Sequence, residues 1–202
     1  MKKLVVVLGL LVLVPGLALA QVSYFVDYFA NNGTAGADQI VRVINAGEFG
    51  SPISSSNAGD ICANFYVHNA DQEMVACCAA DLTPNELASA YVGKQLTSNS
   101  LNSGAIPTSG VVKILLTPNP GGKTCDPTFG FPNDPPVTTA LGQVFATHLQ
   151  VTNGKTYVTE TEKLASPLSG IEFETLFVTC FFLEQVGSGA GVCSISTSTG
   201  QN

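Results

Sequence analysis

The sequence predicts a mainly β protein: an antiparallel, sandwich-like domain of about seven or eight strands, stapled by disulfides and carrying one C-terminal amphipathic helix. Three observations lead there. Alternating apolar runs are separated by turn-forming residues, the cysteines number six, and a late capping box precedes residues at helical spacing.

The run at 61–80 (ICANFYVHNADQEMVACCAA) reads as a β-hairpin. Ile61, Ala63, Phe65 and Val67 form an apolar face, and Cys62, Asn64, Tyr66 and His68 a mixed one. The return strand sets Met74, Ala76 and Cys78 against Glu73, Val75 and Cys77, with turn formers at 69–71 between the strands. A tight turn at Asn69-Ala70 would bring Cys62 opposite Cys77 on one face, so a Cys62–Cys77 disulfide is expected. Cys78 then faces the core and needs a distant partner among Cys125, Cys180 and Cys193.

The remaining elements follow from the same rules. Residues 21–31 (QVSYFVDYFAN) alternate Val22, Tyr24, Val26 and Tyr28 against Ser23, Phe25, Asp27 and Phe29, so this strand wants cover on both sides. After a polar turn at 32–37, the β-branched run 39–45 reads as a central strand, followed by a Ser/Gly/Pro loop at 48–60. Thr83-Pro84-Asn85-Glu86 has the pattern of a helix start and predicts one helical turn; residues 90–97 drift back to strand character. Residues 111–116 predict a buried strand, and 117–137 a long Pro-rich loop held by Cys125. Asn153-Gly154 between alternating runs predicts a type I′ hairpin pairing Val151 with Thr156 and Leu149 with Val158. Ser169 and Glu172 form a second capping box. It opens a helix over 171–186 whose apolar stripe takes in Phe173, Leu176, Phe177, Cys180 and Phe181. A Gly/Ser/Thr tail, 187–202, is tied down at Cys193.

At the other end, Lys2-Lys3, an apolar run from Leu4 to Val14, and small residues at Ala18 and Ala20 have the form of a secretory signal peptide, 1–20. That leaves one domain, 21–202, expected outside the cell or at its surface with no membrane span after cleavage. Six cysteines in an exported chain predict three disulfides; their spacings match no zinc-finger pattern. The formal charge is −7 and Arg42 is the only arginine, so phosphate backbones and anionic membranes are poor partners. Charged residues are only 11% of the chain and apolar ones 45%, a balance suited to subunits that pack against copies of themselves.

The chemistry-bearing residues are sparse. His68 and His148 are lone strand histidines outside any hydrolase motif. Glu160 and Glu162 share a solvated strand face, while Glu172, beside Glu174, serves a helix cap, so neither carboxylate pair reads as a glycosidase dyad. Asp126 and Asp134 lack spaced calcium-loop ligands, and Gly122-Lys123-Thr124 lacks the first glycine of a phosphate loop. The sequence therefore predicts no catalytic residue, no cofactor and no metal.

The segments Asp38–Asn45 (DQIVRVIN), Cys62-Ala63, Gln72–Cys78, Thr83-Pro84-Asn85 and Gly187–Cys193 resemble a group of secreted bacterial proteins of similar length with no known activity. The resemblance implies export and disulfides, with further cysteines where this chain has Ala80 and Ile195. The expected function is a secreted structural or cell-surface protein, pilus-like if it forms filaments. In that reading the N-terminal strand contacts a neighbouring subunit through Tyr24, Phe25, Val26, Tyr28 and Phe29. A ligand- or carbohydrate-binding module is the alternative, and an extracellular hydrolase a third.

Overall fold

The computed structural model describes residues 23–30, 32, 38–47, 59–101, 105–119, 124–128 and 141–197. The expected signal segment, the phosphate-loop-like glycine and lysine, Asp134, much of the Pro-rich loop and the end of the tail lie outside the described residues. The strands are β1 (Ser23–Phe29), β2 (Ile40–Ile44), β3 (Ile61–Asn69), β4 (Met74–Leu82), β5 (Leu87–Tyr91), β6 (Gly110–Pro118), β7 (Gln143–Thr152), β8 (Lys155–Lys163), β9 (Ser166–Pro167) and β10 (Ser196–Thr197). One helix, α1 (Gly170–Val186), lies between β9 and β10. Two antiparallel sheets result, ordered β4-β3-β6-β1-β9 and β10-β5-β2-β7-β8.

Between the sheets lies a core in which Phe25, Phe29, Val43, Phe65, Ile114 and Val144 are all buried. A second, smaller core lies on the outer face of the first sheet, where Tyr66, Met74, Cys77 and Leu115 meet Leu168, Leu176, Cys180 and Leu183. The fold is thus helix on sheet on sheet. As expected, 40–44 forms a central strand and β6 lies buried in the middle of its sheet.

The β3–β4 hairpin forms, but its register differs from the expected one. Asn69 Oδ1 accepts the backbone N–H groups of Asp71 (3.0 Å) and Glu73 (2.9 Å), Gln72 takes a left-handed φ of 69°, and the ladder shifts between Val67 and His68. This wider turn places Cys77 opposite Tyr66 and Cys62 opposite Asp81. The expected Cys62–Cys77 bridge is therefore not formed; the disulfides are Cys62–Cys125, Cys77–Cys180 and Cys78–Cys193. The irregularity also turns Met74 away from Ala76 and Cys78, into the core beneath the helix.

Adjacent strand residues point to opposite faces, and Cys77 and Cys78 use both. Cys77 reaches out to α1, and Cys78 reaches between the sheets to Cys193. The segment that carries Cys193 lies along the outer edge of β4. Gly191 O accepts from Cys77 N at 2.9 Å, and Cys193 N donates to Cys77 O at 3.3 Å, so main-chain bonds cover an edge that is otherwise open to pairing with other chains. Ala80 and Ile195, where the resembled group would carry cysteines, pack into this same core.

Two local motifs match expectation and two do not. Asn153 and Gly154 take φ values of 53° and 71°, and β7 and β8 pair Leu149 with Val158 and Val151 with Thr156, as the type I′ hairpin requires. Ser169 Oγ accepts from Glu172 N at 3.1 Å and opens α1. Its buried stripe, however, is Leu176, Cys180 and Leu183 with Phe173 partly covered, while Phe181 faces solvent. Leu183 lies seven positions after Leu176, back on the same line of the helix, whereas Phe181 has rotated past the sheet. Thr83-Pro84-Asn85-Glu86 forms a β-turn in place of a helical one. Pro84 and a left-handed Asn85 (φ 69°) are the inner residues of a type II turn, with Glu86 N donating to Thr83 O at 3.0 Å. Tertiary pairing of Asn85 N with Asn45 O, 2.8 Å, then directs the chain straight into β5. Beyond β5 the backbone makes a π-helical turn, Val92–Leu96, capped by Asp38, whose carboxylate accepts from Gly93 N and Lys94 N.

Candidate functional site

Phe25, Asp27 and Phe29 share the inward face of β1, so an aspartate lies between two core phenylalanines and is only 4% exposed. At that level the second sheet offers His148 of β7, itself buried, and Lys163, the last residue of β8. Asp27 Oδ1 lies 2.6 Å from Lys163 Nζ and 3.0 Å from His148 Nε2, and the two nitrogens are 3.2 Å apart. Neither contact to Oδ1 has hydrogen-bond geometry, so the carboxylate is held against both nitrogens without a directed bond. Tyr28 packs edge-on against the imidazole, ring centres 4.5 Å apart. A buried carboxylate and ammonium are costly to keep out of water, and their attraction offsets that cost only with good geometry. His148 is a lone histidine by its sequence setting, but the fold gives it two charged partners, Lys163 from the adjoining strand β8 and Asp27 from the opposite sheet. Asp27 on an apolar row was the signal that could have exposed the cluster, because a charge between two inward phenylalanines needs a partner.

His68 lies elsewhere, on the outer face of the first sheet near the Lys113–Glu172 ion pair that joins β6 to α1. Its Nδ1 is buried without a hydrogen-bond partner among the described residues. Burial first, and the Lys113 cation second, lower its pKa from the ordinary 6.5 to about 4, against the opposing pull of Glu172. A depressed histidine pKa means that the unfolded chain takes up the proton first. Stability should therefore fall as pH drops from about 6.5 to about 4 and then level off, by on the order of 1–2 kcal/mol once partial solvent exposure is allowed for. Urea unfolding of the wild type and of His68→Gln across that window tests this; the variant should lose that part of the acid slope.

The other candidates scatter. Tyr66 donates from its hydroxyl to Pro127 O at 3.0 Å, and burial, then Asp126, push its pKa upward. Asp126 itself accepts from Thr128 N and Thr128 Oγ1, closing a local turn. Glu160 pairs with Arg42 across the outer face of the second sheet. Glu172 gives its backbone N–H to the Ser169 cap and its carboxylate to Lys113. Cys77, Cys180 and Glu184 cluster with metal-ligand atoms, but the two sulfurs are joined to each other, which leaves no thiolate to bind an ion. Burial, then Asp126, raise the pKa of Glu184. Of the expected subunit contacts, Phe25 and Phe29 lie in the chain's own core, Tyr24 packs beneath α1, and Val26 and Tyr28 are exposed. Within the single chain β1 pairs with β6 and β9.

Among the described residues no helix is long and apolar enough to cross a membrane. No family model matches the chain, and no curated protein matches it. A solved structure described as "Crystal Structure of Thermotoga maritima 1070" is similar, at 10% identity and a TM-score of 0.41, over 74% of this chain and 97% of its own.

Proposed function

We propose that the protein is an exported structural or cell-surface subunit that assembles with copies of itself, with the outer face of α1 as a contact surface. The observation that carries this reading is that α1 is apolar on both sides. Opposite its buried stripe, Ile171, Val178, Phe182 and Val186 fall on one line at intervals of seven, four and four residues, with Phe181 beside it. All five are exposed, Ile171 at 80% and Phe182 at 57%. A helix with apolar lines on two opposite sides has a second one left to cover. The occupant is a second copy, because this line keeps a single seam that a two-fold pairing places against itself, and the line itself carries no charged residue. The three disulfides and the pattern at 1–20 support export.

Light scattering and electron microscopy of the chain from residue 21 onward test the proposal. Concentration-dependent assembly should be weakened at least about tenfold by Val178→Glu with Phe182→Glu, because two charges then enter the seam, while the exposed sites leave fold stability within about 0.5 kcal/mol. Fibres in the micrographs would extend the proposal to a filament. A wild type that stays monomeric at high concentration, or variants that assemble unchanged, overturn the helix contact.

A further inference from the structure

The Asp27, His148 and Lys163 cluster has the parts of a condensation site. We propose that Lys163 and Asp27 join in an intramolecular amide cross-link between β8 and β1, with His148 as the proton carrier. Lys163 Nζ lies 2.6 Å from Oδ1 of the carboxyl group it would attack, so the amine and the carboxyl group are already held in contact. His148 Nε2 is within proton-transfer reach of both reactants, 3.2 Å from Nζ and 3.0 Å from Oδ1.

The chemistry balances with these groups alone. Nε2 takes a proton from the Lys163 ammonium and passes it to Asp27 Oδ1, giving a neutral amine and a neutral acid. The nitrogen lone pair forms the N–Cγ bond while the carbonyl π pair moves onto its oxygen. His148 then collects the surplus proton from nitrogen and delivers it to the departing Oδ1 hydroxyl. The Cγ–Oδ1 bond breaks, water leaves, and the carbonyl re-forms. One ammonium and one carboxylate become one amide and one water, with no oxidation or reduction. The product also removes two charges from a site where burial makes them costly. Burial serves the reaction a second time, because Asp27 is almost closed to solvent and the amide is shielded from hydrolysis.

Placement gives the bond a purpose. All three disulfides attach to β3 or β4, at one side of the first sheet, whereas β1 lies toward the other side. An amide from β1 to β8 would fasten that second side to the edge of the opposite sheet, and unlike the disulfides it would survive reducing conditions.

Intact mass of the fully reduced and denatured protein decides the matter. The wild type should be lighter than its sequence by one water, and trypsin should fail to cut after Lys163, leaving one joined peptide that contains both Lys163 and Asp27. Lys163→Arg and Asp27→Ala should restore the full mass. His148→Ala should fold with its three disulfides formed, yet retain the full mass in freshly made protein. A wild type of full mass with Lys163 cleaved normally overturns the proposal, whatever the variants do. A ladder of denaturant-resistant oligomers would overturn the intramolecular assignment, since it would show Asp27 of one copy joined to Lys163 of another.

Discussion

Replacing Cys77 and Cys180 together by serine should lower the free energy of unfolding by about 3 kcal/mol, less than the 103-residue separation suggests. Taken alone, a loop of that size corresponds to nearly 5 kcal/mol on the chain-entropy scale, about the same as the 115-residue loop closed by Cys78–Cys193. The two bridges are not independent, because they start from adjacent residues. With Cys78–Cys193 intact, the ring that Cys77–Cys180 closes runs only from Cys180 to Cys193 and back through the peptide between the paired cysteines, comparable to a loop of about fifteen residues. Removing both pairs should therefore cost about 7–8 kcal/mol, enough to unfold many domains of this size. Guanidinium unfolding of the two double variants and the quadruple variant reads out the coupling. Two small losses followed by a large one support the nested rings, and equal, additive losses of nearly 5 kcal/mol reject them.

Gly110→Ala should be the most damaging single-methyl change, at about 2–4 kcal/mol. Gly110 opens β6 between Asn69 of β3 and Phe29 of β1. A Cβ there would lie 2.0 Å from His68 O and 2.7 Å from Phe29 Cζ. The first of these is a backbone atom of a buried central strand, so relief requires moving β3 itself. Gly170→Ala provides the contrast. Its Cβ meets nothing within 4 Å, it begins α1, and alanine suits a helix better, so the change should be neutral or stabilise by up to about 1 kcal/mol. Chemical denaturation of both variants checks the pair; a Gly110→Ala protein as stable as wild type would mean that β3 and β1 do not close on β6 as described.

What could be read from the sequence was local, and what could not was set by distance along the chain. Asn153-Gly154 and the Ser169 cap specify their own geometry within four residues and formed as expected, although the Glu172 carboxylate pairs with Lys113 and does not close the box. The β3–β4 faces were legible, since alternation alone fixes them, but the register depended on how Asn69 arranged the turn, and the Cys62 pairing failed with it. Thr83–Glu86 carried a helix-start pattern that a tertiary bond to Asn45 turned into a strand connection. The Asp27, His148 and Lys163 cluster joins β1 to the β7–β8 hairpin; the hairpin brings His148 and Lys163 together, but no spacing rule connects either of them to Asp27. Only the misplaced charge between Phe25 and Phe29 announced it.

Neighbouring cysteines with partners in the same stretch of chain invite exchange during oxidative folding, and Cys77 and Cys78 have theirs at Cys180 and Cys193. The alternation of β4 resolves the ambiguity. Once β3 and β4 have paired, the Cys77 thiol is presented to the side where α1 docks, and the Cys78 thiol to the side where the second sheet arrives. The swapped pairing would require each thiol to reach through its own sheet. Backbone pairing of β3 with β4 therefore discriminates between the two connectivities, because only the native one leaves each thiol on the side of its partner.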